Sequence, residues 1–353
     1  MAISSRDAGV EAGFARRTLF VFALAAALFL VWQLSAVLLL VFSAVIVAVL
    51  LRSIADPIAA RTPLPAGVAV ALAGLTVVAV IAGALWLFGA VLAEQTRQLV
   101  THIPTSAAEL RTMVSGLPFS EQITRIDGSG LMGGASGVVG RVGGYAMSTV
   151  SVATSLVLVI IAGVFLAVSP RVYRDGLVVL FPPERRASLR EAADTTGRAL
   201  KAWLVGQLTD MAVVGVMTGV GLALIGLPSP LALGLIAGLL AFVPIVGSIA
   251  GAIPALLVAA QGGWELMAWT LLVYVVVQQV EGNLIYPFIQ KRAVKLPPVL
   301  TLFGILGFGT LFGFLGVFVA TPLMVVLFVN VRLLYLRRTL NEDIAVPGEV
   351  TPG

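Results

Sequence analysis

Two amide–carboxyl pairs stand inside otherwise apolar sequence. Gln207 and Asp210 are three residues apart, and Gln278 and Glu281 repeat that spacing, with Asn283 just beyond. On a helix, positions i and i+3 share a face, so each pair sets a neutral amide beside an acid. Asp210 lies roughly 13 Å along its helix from the polar boundary at Lys201, at 1.5 Å per residue. A carboxylate at that depth acts as a proton or cation site, or is answered by Lys201 or Arg198 near the interface. Gln278, Glu281 and Asn283 suit coordination of a polyhydroxylated solute or an ion. The plainer reading makes them a polar helix end answering Lys291 and Arg292. Glu265, after Gly262-Gly263-Trp264, reads as an interfacial anchor.

The chain around these residues is that of a polytopic membrane protein. Of 353 residues, 59% are hydrophobic and 11% charged, against about 25% charged in soluble domains. The net charge of +5 comes mostly from cations flanking apolar runs, as membrane topology requires, so nucleic acid is not an expected partner. With no cysteine and one histidine, His102, disulfides, iron–sulfur clusters, zinc sites and Ser–His chemistry have nothing to build on. No catalytic residue, metal site or cofactor is expected. Gly128-Ser129-Gly130-Leu131-Met132-Gly133 has the form of a dinucleotide motif but lacks its strand–turn–helix setting, and no P-loop occurs. An intramembrane aspartyl enzyme would need two acids at membrane depth. Asp210 and Glu281 are the one candidate pair, and nothing in the sequence brings them together.

All-α architecture follows, with about eight apolar segments: Thr18–Val31, Ala36–Leu51, Pro65–Leu92, Met147–Val168, Ala202–Ile225, Leu231–Ala260, Leu266–Val280 and Pro298–Val331. A single span needs about 20 residues. The first two are short, and the sixth and eighth are too long and are interrupted. The first, although preceded by Arg16 and Arg17 in the manner of a signal peptide, is expected to be retained. The cations Arg171, Arg174, Arg185, Arg186, Arg190, Arg198 and Lys201 mark a cytoplasmic loop. The resulting plan assigns 1–17 to a cytoplasmic N-terminus and 18–92 to transmembrane segments. An external, partly helical, glycine-rich insert takes 93–146, followed by a transmembrane segment at 147–168. A cytoplasmic amphipathic helix region occupies 169–201, and 202–331 is a C-terminal transmembrane region with two broken hairpins. Residues 332–353 form a cytoplasmic tail, expected to be disordered beyond Thr339. The hairpin breaks are placed at Pro244, Gly247, Gly251 and Pro254, and at Gly309, Gly313, Gly316 and Pro322. Hairpins are favoured because they keep Lys291, Arg292 and Lys295 inside. Both termini are then cytoplasmic.

Glu281-Gly282-Asn283-Leu284, Pro287, Lys291-Arg292, Leu296-Pro297-Pro298 and Thr321-Pro322-Leu323 together resemble the AI-2E family transporters. Pro244-Ile245-Val246-Gly247 with Ile253-Pro254-Ala255 is similar to that family's preceding signature. One departure is Pro297-Pro298, where histidine–proline is expected, and it removes a titrating group. The resemblance implies a multi-pass protein of the bacterial inner membrane, forming a homo-oligomer in the lipid bilayer. It splits on cargo: some members are linked to export of the quorum-sensing signal autoinducer-2, others to sodium (lithium)/proton exchange. The leading expectation is a secondary transporter exporting a small polar solute such as autoinducer-2. A sodium/proton antiporter using Asp210 and Glu281 is the alternative, and a non-transporting membrane scaffold is a third reading of a different class.

Overall fold

The computed structural model describes residues 18–83 apart from 27 and 28, then 86, 87, 89, and 154–349 apart from 245, 286, 288–293 and 295. The expected insert at 93–146, His102, the glycine motif at 128–133, and Lys291, Arg292 and Lys295 lie outside the described residues. Helical residues at 18–26 and 29–33 precede α1 (Ser35–Arg61) and α2 (Ala66–Gly83). Next come α3 (Thr154–Val168), α4 (Pro170–Val179) and α5 (Pro183–Leu224). Then follow α6 (Pro230–Leu240), α7 (Val246–Ala260) and α8 (Trp264–Val280), which runs into a π-helical turn at Glu281–Ile285. Last are α9 (Pro298–Asn330) and a second π-helical turn at Val331–Arg337.

Helix α5 is the central post, touching α1, α4, α6, α8, α9 and the Glu281–Ile285 turn. Its 42 residues extend about 63 Å, twice the hydrocarbon thickness of a bilayer, ~30 Å. The charged half before Lys201 and the apolar half after it are one continuous helix. Pro182-Pro183 starts it, with Pro183 in the first turn, where its missing N–H is no loss. At the other end Gly226 adopts φ +73°. The Leu227 N–H bonds the Leu222 carbonyl and the Gly226 N–H bonds that of Ala223, both at 3.0 Å, a Schellman closure.

Small residues bring α6 onto α5. A Cβ on Gly234 would lie 2.6 Å from the Gly215 carbonyl oxygen, and one on Gly238 would lie 2.5 Å from that of Met211. Backbones at such range are the usual outcome of glycine spacing between apolar helices. The chain then turns through 241–244, and α7 packs back along α6: Gly247 meets the Leu240 carbonyl, and Gly251 meets Ala237. A similar reversal occurs inside α9 at Gly313, whose φ of +62° and ψ of −143° are not helical. Gly304 faces Met324, Gly309 faces Val317 and Gly316 faces the Phe308 carbonyl. In a straight helix Gly304 and Met324 would be about 30 Å apart, so the two limbs lie side by side and antiparallel. The turns meet through Phe242, which stacks on Phe318 with centroids 4.4 Å apart and meets Trp203 of α5 edge-on at 6.1 Å. Pro254 and Pro322 lie inside α7 and α9, not at the turns.

These reversals change the span count. Among the described residues, four helices are long and apolar enough to cross a membrane, or five with the bent pair α3–α4. Eight apolar segments therefore do not appear as eight full-length helices. The apolar run at 231–260 divides into helices of 11 and 15 residues. Although Pro298–Arg337 qualifies by length and composition, its reversal at Gly313 prevents it from crossing as one rod.

The tail also departs from expectation. Leu340–Glu349 folds back over the junction of α5 and α9, with Val346 buried against Ala192, Ala199, Leu200 and Leu333. Arg198 donates to the Gly348 carbonyl at 2.7 Å and Arg332 to the Ala345 carbonyl at 3.0 Å. Arg337 forks onto the Glu349 carboxylate and reaches the Ile344 carbonyl at 2.7 Å. Three arginines and one buried valine order a segment whose composition alone reads as disorder.

The glycine contacts give a graded test. Gly247→Ala should lower stability by about 1–3 kcal/mol through overpacking, read as a lower melting temperature in detergent. Gly219→Ala, where the new Cβ would sit 3.5 Å from the Pro230 carbonyl, should be near neutral. Equal effects at both positions would contradict the packing.

Candidate functional site

The antiparallel register of α8 against α5 builds the site. Gly221 meets Val273, and Val214 packs with Val277 in one cluster. Four residues further toward the charged end of α5, Asp210 reaches the turn that carries Glu281. The Glu281–Ile285 turn contacts α5 here, which brings the two carboxyl groups to the same seam. No sequence pattern predicts this register; it is a product of the tertiary packing. Asp210 is 6% exposed. Its Oδ1 and the Oε2 of Glu281 are buried without a hydrogen-bond partner.

The cations that might have answered Asp210 are engaged elsewhere. Lys201 pairs with Asp56 of α1 at 2.5 Å. Arg198 binds the tail carbonyl and donates to Thr195 Oγ1 at 3.1 Å. Asp56 also receives Arg52 at 3.4 Å, while Arg52 Nε donates to the Ala167 carbonyl at 2.6 Å, closing the end of α3. The interfacial salt bridge considered for Asp210 is therefore absent among the described residues. The helix-end reading of Glu281 involved Lys291 and Arg292, which are not described.

The remaining sequence candidates divide between inside and outside. Gln207 is half-buried, and its Nε2 donates to the Ala241 carbonyl at 2.9 Å. That oxygen belongs to the end of α6, where helical carbonyls lose their partners, and Gln207 supplies one. Gln278 is exposed. Asn283 is exposed too, bonded to Gln279 Oε1 at 3.2 Å, one turn back. Neither is buried beside Asp210. Two residues past Glu281, Asn283 falls on the opposite side of the helix from it.

Several polar residues of this seam were not singled out from sequence. Thr218 of α5 and Thr270 of α8 are fully buried, each with an unpartnered hydroxyl. Tyr274 Oη donates to the Gly251 carbonyl at 2.8 Å, tying α8 to α7. The spacing Thr270, Tyr274, Val277, Glu281 follows i, i+4, i+7, i+11, the stripe of a buried helix face. That pattern was available in the sequence but masked by the uniformly apolar surroundings. Among the described residues no group of three or more His, Cys, Asp or Glu side chains gathers as a metal site.

The profile of the family described as AI-2E family transporter matches residues 19–335. YrrI of Bacillus subtilis (strain 168) is 36% identical over 156 residues, covering 44% of this chain and 42% of the relative. YueF of the same strain is 31% identical over 209 residues, 56% of each chain. MT0215 of Mycobacterium tuberculosis (strain CDC 1551 / Oshkosh) is 30% identical over 276 residues, 73% of this chain and 72% of the relative. All three carry provisional names as transport proteins. The matches span about half the length of the two Bacillus relatives.

The carboxylate pairing is directly testable in a chain without cysteine. Asp210→Cys with Glu281→Cys should be bridged by a short bifunctional thiol reagent, giving an internal cross-link detectable by mass spectrometry. Asp210→Cys with Asn283→Cys should be bridged far less. Equal yields from the two pairs would refute the register.

Proposed function

We propose a function from the premise that these matches provide: the chain belongs to the AI-2E transporter family and is a multi-pass membrane protein. In our reading it is a secondary transporter, with Asp210 and Glu281 holding the coupling cation, a proton or sodium. The observation that carries this is the buried carboxyl group of Asp210 with the half-buried Glu281 near it, neither of them paired with a cation among the described residues. Two desolvated acids are costly when both are charged, and a shared proton or monovalent cation relieves that cost. Gln207 and the Ala241 carbonyl border the site, and Gln278 and Asn283, on the outer side of α8, contribute to solute recognition when the seam opens. The cargo is a small polar solute such as autoinducer-2, exported from a bacterium across its inner membrane.

In this reading α6–α7 and the two limbs of α9 are re-entrant hairpins. Their lengths support it. Helices α6 and α7 have 11 and 15 residues, and α9 divides at Gly313, so these two helices and the first limb of α9 fall short of the ~20 residues of a full span, while the second limb runs on through Val331–Arg337. Broken helices at membrane depth are tolerated where they line a cavity or pack on protein. Both termini would be cytoplasmic, and copies would assemble as a homo-oligomer.

The same carboxyl pair favours a second reading, sodium (lithium)/proton antiport, in which the cation is itself the cargo. Reconstituted vesicles separate the two. Under solute export, Asp210→Asn and Glu281→Gln should each lower autoinducer-2 flux roughly tenfold or more, the loss expected when a coupling group is removed. Under antiport, sodium-driven proton flux should occur without any solute and vanish in Asp210→Asn. If both variants keep wild-type flux, the coupling role is wrong; if the wild type itself moves neither solute nor ions, a non-transporting scaffold becomes the better reading.

A further inference from the structure

Helix α4 has a face that nothing among the described residues covers. It turns 89° from α3, with only Ser169 between them. The side chains of α3 that point outward are apolar, among them Ile161 and Phe165, as expected of a helix crossing lipid. A helix leaving such a span at a right angle lies along the bilayer plane. Continuing into the bilayer instead would carry Arg171, Arg174 and Asp175 into hydrocarbon, at high cost.

The two sides of α4 differ sharply. On one, Arg174 pairs with Asp194 of α5 and with Asp175, while Arg190 of α5 lies 3.5 Å from Asp175. Val178 is buried against the same partner helix. On the other, Val172, Tyr173, Leu177 and Val179 are exposed, followed directly by Leu180 and Phe181; Leu177 is 64% and Leu180 79% exposed. Stepping 100° per residue places these outward side chains on one arc, with Arg171, Arg174 and Asp175 on the opposite arc. Arg186 donates to the Phe181 and Val179 carbonyls, each at 3.0 Å. The end of α4 is thus closed by the first turns of α5. Arg171, on the polar arc, and Arg185, in the first turn of α5, remain exposed.

We propose that α4 is an interfacial helix seated in an anionic leaflet of the bilayer. Its apolar arc lies among the upper acyl segments, and Arg171 and Arg185 meet lipid phosphates. Two observations favour lipid over a second copy of the chain: the apolar arc is continuous with the outward face of α3, and its flanking cations complement anionic headgroups. Through Arg174–Asp194 and Asp175–Arg190 this anchor also fixes the height of the charged half of α5 against the bilayer surface.

The full chain in vesicles provides the test. Single cysteines replace Leu177, Val172 and, as a water-facing reference, Asp343, each carrying a polarity-sensitive fluorophore. Labels at Leu177→Cys and Val172→Cys should be quenched by lipids with a nitroxide near the top of the acyl chain and spared by an aqueous nickel chelate. Asp343→Cys should show the reverse. Aqueous quenching of all three would overturn the proposal, and so would protection of the α4 labels from both quenchers, the signature of a protein partner or a second copy. At equal content, headgroup-matched nitroxide phosphatidylglycerol should quench the Leu177→Cys label roughly several-fold more than phosphatidylcholine, from local enrichment by two cations. Arg171→Gln with Arg185→Gln should abolish that preference. Equal quenching by the two lipids before any arginine is replaced would remove the phosphate contact.

Discussion

The close approach of α5 and α6 governs most of what surrounds the carboxyl pair. Gly215 and Gly219 face Gly234 and Gly238 with backbone against backbone, which leaves no room for sliding or for a different rotation. This contact delivers the end of α6 to Gln207, whose amide satisfies the Ala241 carbonyl. From that fixed point α7 folds back along α6, and Tyr274 anchors α8 to α7 through the Gly251 carbonyl. The register of α8 on α5 is then set, and with it the placement of Glu281 beside Asp210. A side chain inserted at Gly234 or Gly238 would therefore disturb the acid pair from a distance, without touching either carboxylate.

Charge is distributed along α5 in two regimes. Its first half meets counter-charges at every turn, including Arg174–Asp194, Arg338–Glu191 and Lys201–Asp56. Partly exposed pairs of this kind contribute only about 0–1 kcal/mol each. They serve mainly to fix where α1, α4 and the π-helical turn after α9 meet the post. Past Lys201 no cation follows, and Asp210 is enclosed with Val214, Val277 and Ala241 nearby. The surrounding apolar packing stabilises the fold while the acids oppose it. A local loss of that kind is expected at a site retained for what it binds.

Depth and identity of the acids were legible in the sequence because a carboxyl in an apolar run has no structural excuse. Their pairing was not, since it depends on how α8 registers against α5, a tertiary matter set by Gly221, Val273 and the α6–α7 turn. The i, i+3 spacing of Gln278 and Glu281 suggested one shared face. Val277 instead occupies the buried line, and Asn283, two residues past Glu281, falls on the opposite side of the helix from it. Gly313 stood out in a glycine series and is where α9 reverses. Gly215 and Gly219 did not, because glycine in an apolar helix reads as composition until its neighbour is known. The tail shows the opposite limit. Its acids and prolines suggest disorder, whereas Arg198, Arg332 and Arg337 bind its carbonyls and carboxylate from two other elements, which no local pattern reveals.

The two interfaces of α5 differ in what they can tolerate. Toward α6 the contact is backbone on backbone, where a displacement of an ångström removes attraction at once and no side chain can rotate to recover it. Toward α8 it runs through Val214, Met217, Val273 and Val277. Methionine among these is unbranched and repacks readily. The acid pair lies at the edge of this second interface. The α5–α6 contact therefore fixes backbone against backbone, while the α5–α8 contact is made largely by side chains that can repack. If the acid pair exchanges an ion or proton, as proposed, it is better placed at the contact made by side chains than at the one made by backbones.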